Sequence, residues 1–492
     1  MTRQPVSMRR VAGASVVNLA YLAVQSLMFI IITPLLLKVW GAEGYGMWVI
    51  MLAIMRGAEL AVFGMDQAVV KYVAQFSVEA DASRKISGII SFSTLFLFFT
   101  GLASCAIVWV LRDWIAINIF AALDVSELAD AFGLIALGLV PLFLSQVPLF
   151  VLYGLVYNEL AGGLLLGYDV LLWGGALAIG LLGGSILDLG WLLLLVNLGF
   201  FSLTSLAALW VLRAYKLRFE WNIPLIKELV HYSFYAWIIS IGIRFYQQVD
   251  RIIVGMVLGA ALAGVYGIAT GIAARLTRLA SQFSQVLLPF ASSYQVGERL
   301  QEIRTTFRHA SRLVACLMVL ASGVLVIWMD YILSLWISPQ FSQDYTEAFR
   351  VLLIIYAFHS VMLPALRISL GLGWIKVPTI VIAASSITML VVLWMISQYL
   401  GLMGAVIANA VYIAVVYINF YTAGRLDFKP VRTVLADIGP PLVVLLGVVL
   451  LPLDALTIFQ RALVTIVIAV VISWMAVSGN RAKLIYELLR PN

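Results

Sequence analysis

The chain has 492 residues, of which 63% are hydrophobic and only 11% charged, with a net charge of +7 and a mean hydropathy of +1.05. A soluble domain is about 25% charged, so this composition excludes a water-soluble fold and defines an all-α integral membrane protein; the short alternating segments of a transmembrane barrel do not occur. Two cysteines in apolar runs and three scattered histidines argue against a disulfide framework and a zinc site, and the absence of any Gly-Lys pair removes the phosphate loop of an ATPase.

In chain order, spans are predicted at 11–37, 45–65, 86–111, 131–156, 164–184, 190–212, 231–255, 262–290, 311–336, 347–372, 377–398, 402–423, 434–451 and 460–478, about fourteen in all. The first follows "MTRQPVSMRR"; its apolar part is too long for a signal-peptide core, which makes it an uncleaved span. Basic residues test the count. Of 31 lysines and arginines, 21 fall in one set of segments, three (Lys38, Arg112, Arg461) in the opposite set and seven inside spans. Such asymmetry marks the cytoplasmic side. It predicts two cytoplasmic termini, accounts for the net charge, and needs no nucleic-acid partner. Outer loops are short, the longest being 112–130, and the 66–85 loop is polar and cytoplasmic.

Residues 252–274 form one apolar run, yet the basic segments 213–227 and 299–312 must lie on one side. An even number of crossings must separate them, so two spans turn near Gly259 to Gly264. The segment 213–230 is basic and amphipathic and reads as a surface helix joining two halves. The division is then 1–212, the linker 213–230, 231–425, and two extra spans with a tail at 426–492.

"LLLKVWGAEGYGMWVIMLAIMR" at 35–56 resembles "VGMVLGAALAGVYGIATGIAAR" at 254–275. Each carries Gly-Ala, then Gly and Tyr-Gly at the outer turn, with an arginine further down the second helix. The copies are six spans apart, so the halves insert in the same direction.

Polar residues recur at helical spacing on the repeat-related spans. Arg244, Gln247, Gln248 and Arg251 form one stripe, and Arg275, Arg278 and Gln282 another. Ser15, Asn18 and Gln25 align on span 1, and Arg56 and Glu59 lie three apart on span 2. An arginine at bilayer depth costs about 2.5–3.5 kcal/mol on insertion scales, so these stripes face a cavity or buried partners. Structural ion pairs explain Arg56 with Glu59 and Asp250 with Arg251 almost as well. Excess arginine favours an anionic ligand, because its fork matches phosphate oxygens. The candidate ligand-binding set is Arg56, Arg244, Arg275, Arg278, Asn18, Gln25, Gln248 and Gln282. Glu59, Asp66, Asp169 and Asp250 are candidate ion-coupling carboxylates. No metal site and no organic cofactor is expected; an H+ or Na+ gradient is the candidate energy source.

"PLLLKVWGAEGYGMW" and "VDRIIVGMVLGAALAGVYGIA" resemble the polysaccharide transport (oligosaccharide flippase) family of the multidrug/oligosaccharidyl-lipid/polysaccharide (MOP) exporter superfamily, across residues 8–425. The resemblance implies two pseudo-symmetric six-helix lobes in a V shape around a cationic cavity, with two further C-terminal helices. It implies a non-enzymatic flippase in the bacterial plasma membrane. Its substrate is an oligosaccharide on polyprenyl pyrophosphate, and its partners are membrane lipids and a polysaccharide polymerase and chain-length regulator. Lipid II flippases have cavity arginines in span 1, where this chain has Asn18 and Gln25, which argues against lipid II. The rival within the superfamily is a cation-coupled multidrug antiporter. A membrane glycosyltransferase is disfavoured by the short outer loops and the lack of Asp-x-Asp.

Overall fold

The computed structural model describes the backbone of residues 8–478 except 78, 80, 121–124, 245, 286, 293–299 and 427–428. The side chains of 8–20 and 238–247, with a few isolated positions, also lie outside the described residues, and with them Ser15, Asn18, Arg244 and Gln247. Among the described residues all regular structure is helical, and the chain has two compact units, Met1–Val265 and Tyr266–Asn492.

In the first unit run α1 (Met8–Ala58), α2 (Met65–Phe76), α3 (Ala82–Phe120), α4 (Val125–Gly154), α5 (Asn158–Leu181), α6 (Ile186–Val211), α7 (Ile223–Arg244) and α8 (Tyr246–Leu258). α1 has 51 residues and at 1.5 Å per residue is about 77 Å long, more than twice the apolar thickness of a bilayer. It is interrupted at Gly41, with φ 69° and ψ 179°, a conformation only glycine enters cheaply. The corresponding turn of the repeat, between α8 and the following helix, is made by Gly259 at φ 85°. The repeat thus puts a left-handed glycine at both predicted outer turns. Tyr45 and Tyr266, the repeat tyrosines, are both buried. α4 forms the centre, packing most extensively on α6 and α3. α7 and α8 pack on α1, α2 and α3, which is why they lie with the first unit; a division at 213–230 assigns them to the second.

The second unit takes the body of α9 (Ala260–Gln285), then α10 (Leu287–Ser292), α11 (Leu300–Trp336), α12 (Pro339–Ser360), α13 (Leu363–Gly371), α14 (Lys376–Ala408), α15 (Tyr417–Arg425), α16 (Pro430–Val449) and α17 (Ile458–Ser478). α14 is interrupted at Gly401. The chain doubles back there, since a Cβ added at Gly404 would stand 2.6 Å from the Ile396 carbonyl oxygen. Eleven described segments are long and apolar enough to cross a membrane. Two of them are interrupted at Gly41 and Gly401, and α7 with α8 supplies one more crossing, which gives the fourteen expected.

Two connections differ from expectation. The 112–130 segment is mostly helix, leaving only 121–124 between α3 and α4. Its polar groups do not break the helices because they are satisfied locally: Arg112 lies 3.8 Å from Asp113 and 3.9 Å from Asp130, and Asn118 donates to the Trp114 carbonyl at 2.8 Å. Conversely, 216–222 is not a surface helix but has no regular structure. Its backbone N–H groups are taken by serines of α3: Arg218 donates to Ser87 Oγ and Glu220 to Ser91 Oγ, each at 3.2 Å.

α16 and α17 are fastened to α11 by charge. Asp437 receives Arg308 at 2.8 Å and Arg312 at 2.5 Å. Near the other end of α11, Asp330 receives Arg461 at 2.5 Å and Arg350 at 3.5 Å. Arg461 is not a loop charge, as its sequence position implied, but is 2% exposed.

Candidate functional site

An ionised carboxylate inside an apolar bundle needs compensation. Asp169, buried midway along α5, receives it from α1. The Tyr21 hydroxyl donates to Oδ2 at 2.8 Å and Gln25 Nε2 to the same oxygen at 2.6 Å. Tyr21 and Gln25 are four residues apart and share a helix face; Gln25 Nε2 also reaches the Tyr21 hydroxyl at 2.7 Å. Arg56, on the second arm of α1, places Nη2 3.9 Å from Asp169 Oδ1, the loose limit of an ion pair. The Arg56 side chain is 39% exposed against 7% for Asp169, so the arginine keeps donors open to its surroundings while the carboxylate is enclosed. Glu59, one turn beyond Arg56, adds a second negative charge to its surroundings. Behind the cluster, the Tyr168 hydroxyl donates to Asn197 Oδ1 at 2.9 Å, and Asn197 Nδ2 donates to the Gly138 carbonyl at 3.2 Å. These buried bonds set the rotation of α5 against α4 and α6, and hence where Asp169 points.

The first unit therefore brings Gln25, Arg56, Glu59 and Asp169 together. The expected excess of positive charge is not found at Arg56, which shares its surroundings with two carboxylates. Tyr21 was missed, although it stands at i−4 from Gln25, a spacing that would have found it.

The second unit carries the other arginines. Arg275, Arg278 and Gln282 lie on one face of α9, with Arg275 half-buried and Arg278 exposed. Arg275 Nη1 donates to its own helix at the Gly271 carbonyl, 2.7 Å away. Arg367 of α13, which by position along its span reads as a snorkelling arginine, donates from Nη2 to Ser281 Oγ at 3.3 Å. Ser281 is three positions from Arg278, so a third guanidinium joins that end of the face. Arg367 has no carboxylate partner among the described residues. Thr277 and Ser360 hydroxyls, 3.0 Å apart, tie α9 to α12 on the adjoining side.

Other candidates lie elsewhere. Asp66 sits in the first turn of α2, where the helix dipole favours a carboxylate. Asp250 is buried on α8 and accepts the Arg251 backbone N–H at 2.7 Å. Gln248 Oε1 is buried without a hydrogen-bond partner among the described residues. Of the stripe 244–251, Gln248 and Arg251 are described in full, and the side chains of Arg244 and Gln247, like that of Asn18, lie outside the described residues. No group of three metal-ligating side chains occurs among the described residues.

The helix arrangement is that of MOP-superfamily transporters. The lipid II flippase MurJ in an inward closed conformation superposes with a TM-score of 0.68 at 15% identity, covering 95% of this chain and 99% of its own. An inward-facing multidrug resistance MATE transporter gives 0.63 at 12% identity, covering 84% and 98%. A MOP transporter from Pyrococcus furiosus, described as having a binding pocket of reverse polarity, gives 0.56 at 14% identity, covering 85% and 95%. No curated protein matches the chain in sequence. The family model for polysaccharide biosynthesis proteins matches residues 36–343, and the chain belongs to that family.

Proposed function

We propose that the protein is a flippase that moves a polyprenyl-pyrophosphate-linked oligosaccharide across the bacterial plasma membrane by alternating access. The observation that carries this reading is the gathering of Arg275, Arg278 and Arg367 along one side of a membrane-spanning helix. Paired N–H groups of arginine fit phosphate oxygens and stay charged at any depth, and membership of a polysaccharide biosynthesis family supplies the matching cargo. Arg275 and Arg278 hold the pyrophosphate, and the chain, lacking a nucleotide loop, performs no hydrolysis. Glu59 and Asp169, beside Arg56, are the coupling carboxylates for an H+ or Na+ gradient. Both termini are cytoplasmic, as the basic segments require. Impermeant thiol labelling of Ser126→Cys and not of Ser478→Cys in intact cells checks that orientation.

The test is export of surface polysaccharide beside a blot of membrane protein. Arg275→Ala and Arg278→Ala abolish export at normal protein level, and lysine restores it only in part. Full export by both alanine variants overturns the reading. A cation-coupled drug antiporter is the second reading, favoured by the two carboxylates that surround Arg56. It predicts efflux of cationic dyes that depends on Asp169 and is indifferent to Arg278.

A further inference from the structure

A groove of about 560 Å³ runs along the outside of the first unit, lined by Ser91, Thr94, Leu95 and Phe98 of α3, Leu144 of α4, and the linker residues 217–219. None of these belongs to the Asp169 cluster. The linker wall is held in place: Ser87 and Ser91 accept its N–H groups, Arg84 bonds Glu220 at 2.7 Å, and the Trp221 ring packs on Phe92 with centroids 6.1 Å apart.

The lining is graded along α3. That helix starts among charges, at Arg84 and Lys85, and proceeds through Ser87, Ser91 and Thr94 to Leu95 and Phe98. Phe98 lies about 10 Å deeper than Ser91 at helical rise. Arg218 lines the polar end, is exposed, and its side chain has no hydrogen bond or ion pair among the described residues. The sole acidic residue between 213 and 227 is Glu220, which Arg84 occupies, against Arg213, Lys216, Arg218 and Lys227. Ser91 accepts from the linker, so its own O–H is left to donate. Leu95, Phe98 and Phe219 present exposed apolar surface.

A cation and hydroxyls at the charged end of a membrane helix, with an apolar trough leading inward, match one amphiphile with an anionic head. We propose that this groove holds a single acidic glycerophospholipid. Its phosphodiester lies at Arg218 and the Ser91 and Thr94 hydroxyls, and one acyl chain lies along Leu95, Phe98 and Leu144. Bound lipid then joins the linker to α3 and α4 on the side of the membrane where the basic segments gather.

The test is native mass spectrometry of the full detergent-released chain with phosphatidylglycerol or with phosphatidylcholine of identical chains. One phosphatidylglycerol is expected to be retained in preference to phosphatidylcholine. Arg218→Gln lowers its occupancy about fivefold, the effect of roughly 1 kcal/mol per basic residue at an anionic headgroup. Lys216→Gln, on the same linker but outside the groove, leaves it unchanged. Equal retention of both lipids overturns the proposal, as does an equal loss in the two variants. Displacement by inorganic phosphate alone would make it a simple anion site. Preferential retention of a polyprenyl phosphate would assign the groove to cargo; either result also overturns the phospholipid assignment.

Discussion

Arginine meets aspartate inside both units, and the two meetings differ. In the second unit Arg461 is 2% exposed, lies 2.5 Å from Asp330, donates to the Ile327 carbonyl at 3.0 Å, and stands over the Tyr331 ring at 4.7 Å. Its Nε also donates to the Leu456 carbonyl at 3.3 Å, so two of its three guanidinium nitrogens are bonded. In the first unit Arg56 is 39% exposed and 3.9 Å from a carboxylate already held by Tyr21 and Gln25. The first arrangement is a fastening, whose value lies in giving a buried charge its counter-charge. The second leaves the arginine with donors to spend, while its carboxylate stays in place if the arginine turns away. The same pair of residue types is thus structural or functional according to how the remaining hydrogen-bonding capacity is used.

The comparison breaks most readily at Arg461. Arg461→Ala leaves Asp330, itself 26% exposed, with Arg350 at 3.5 Å as its other arginine, and a broken buried pair costs up to about 3–5 kcal/mol. The expected result is a marked fall in membrane protein level and in the thermal midpoint of the detergent-solubilised protein. Arg56→Ala is expected to act differently: normal level, with transport reduced about tenfold or more, corresponding to roughly 1.5–3 kcal/mol for a charged hydrogen bond. If Arg56→Ala instead depleted the protein as Arg461→Ala does, the distinction between the two sites would be lost.

A packing control uses no charge. A Cβ at Gly46 would stand 1.7 Å from the Ala260 carbonyl oxygen, so Gly46→Ala should cost about 1–3 kcal/mol by overpacking, read as a lower thermal midpoint. The smallest effect is expected at Thr465, whose hydroxyl accepts from Trp328 Nε1 at 3.0 Å between α17 and α11. Thr465→Val should cost about 1 kcal/mol. It calibrates the charged fastening against a neutral one on the same helices.

Much of the fold is legible in the sequence because bilayer thickness fixes span length and the basic residues fix parity. The parity argument separated α8 from α9 where hydropathy alone merges them, and the turn falls at Gly259 as the repeat required. The 112–130 segment carries helix almost throughout, which its position between two spans does not reveal: Arg112 and Asn118 are satisfied within the helices. The linker was misread because amphipathic composition does not reveal that two serines of another helix take its N–H groups. Within the candidate site, spacing along one helix found Gln25, and it found the shared face of Arg275 and Arg278. It had no means of joining Arg56 to Asp169, which lie on different helices more than a hundred residues apart. The same distance hid Asp437 from Arg308 and Arg312.

Asp330 also has a history written into its two partners. Arg350 follows it by twenty residues, Arg461 by 131. At about 5–20 residues per second, the ribosome delivers Arg461 roughly 7–26 s after Asp330 has left it. Over that interval the neighbouring helix α12 supplies the only one of the two arginines yet made. In order of synthesis, Arg350 is therefore the partner available to Asp330 first and Arg461 the one available last.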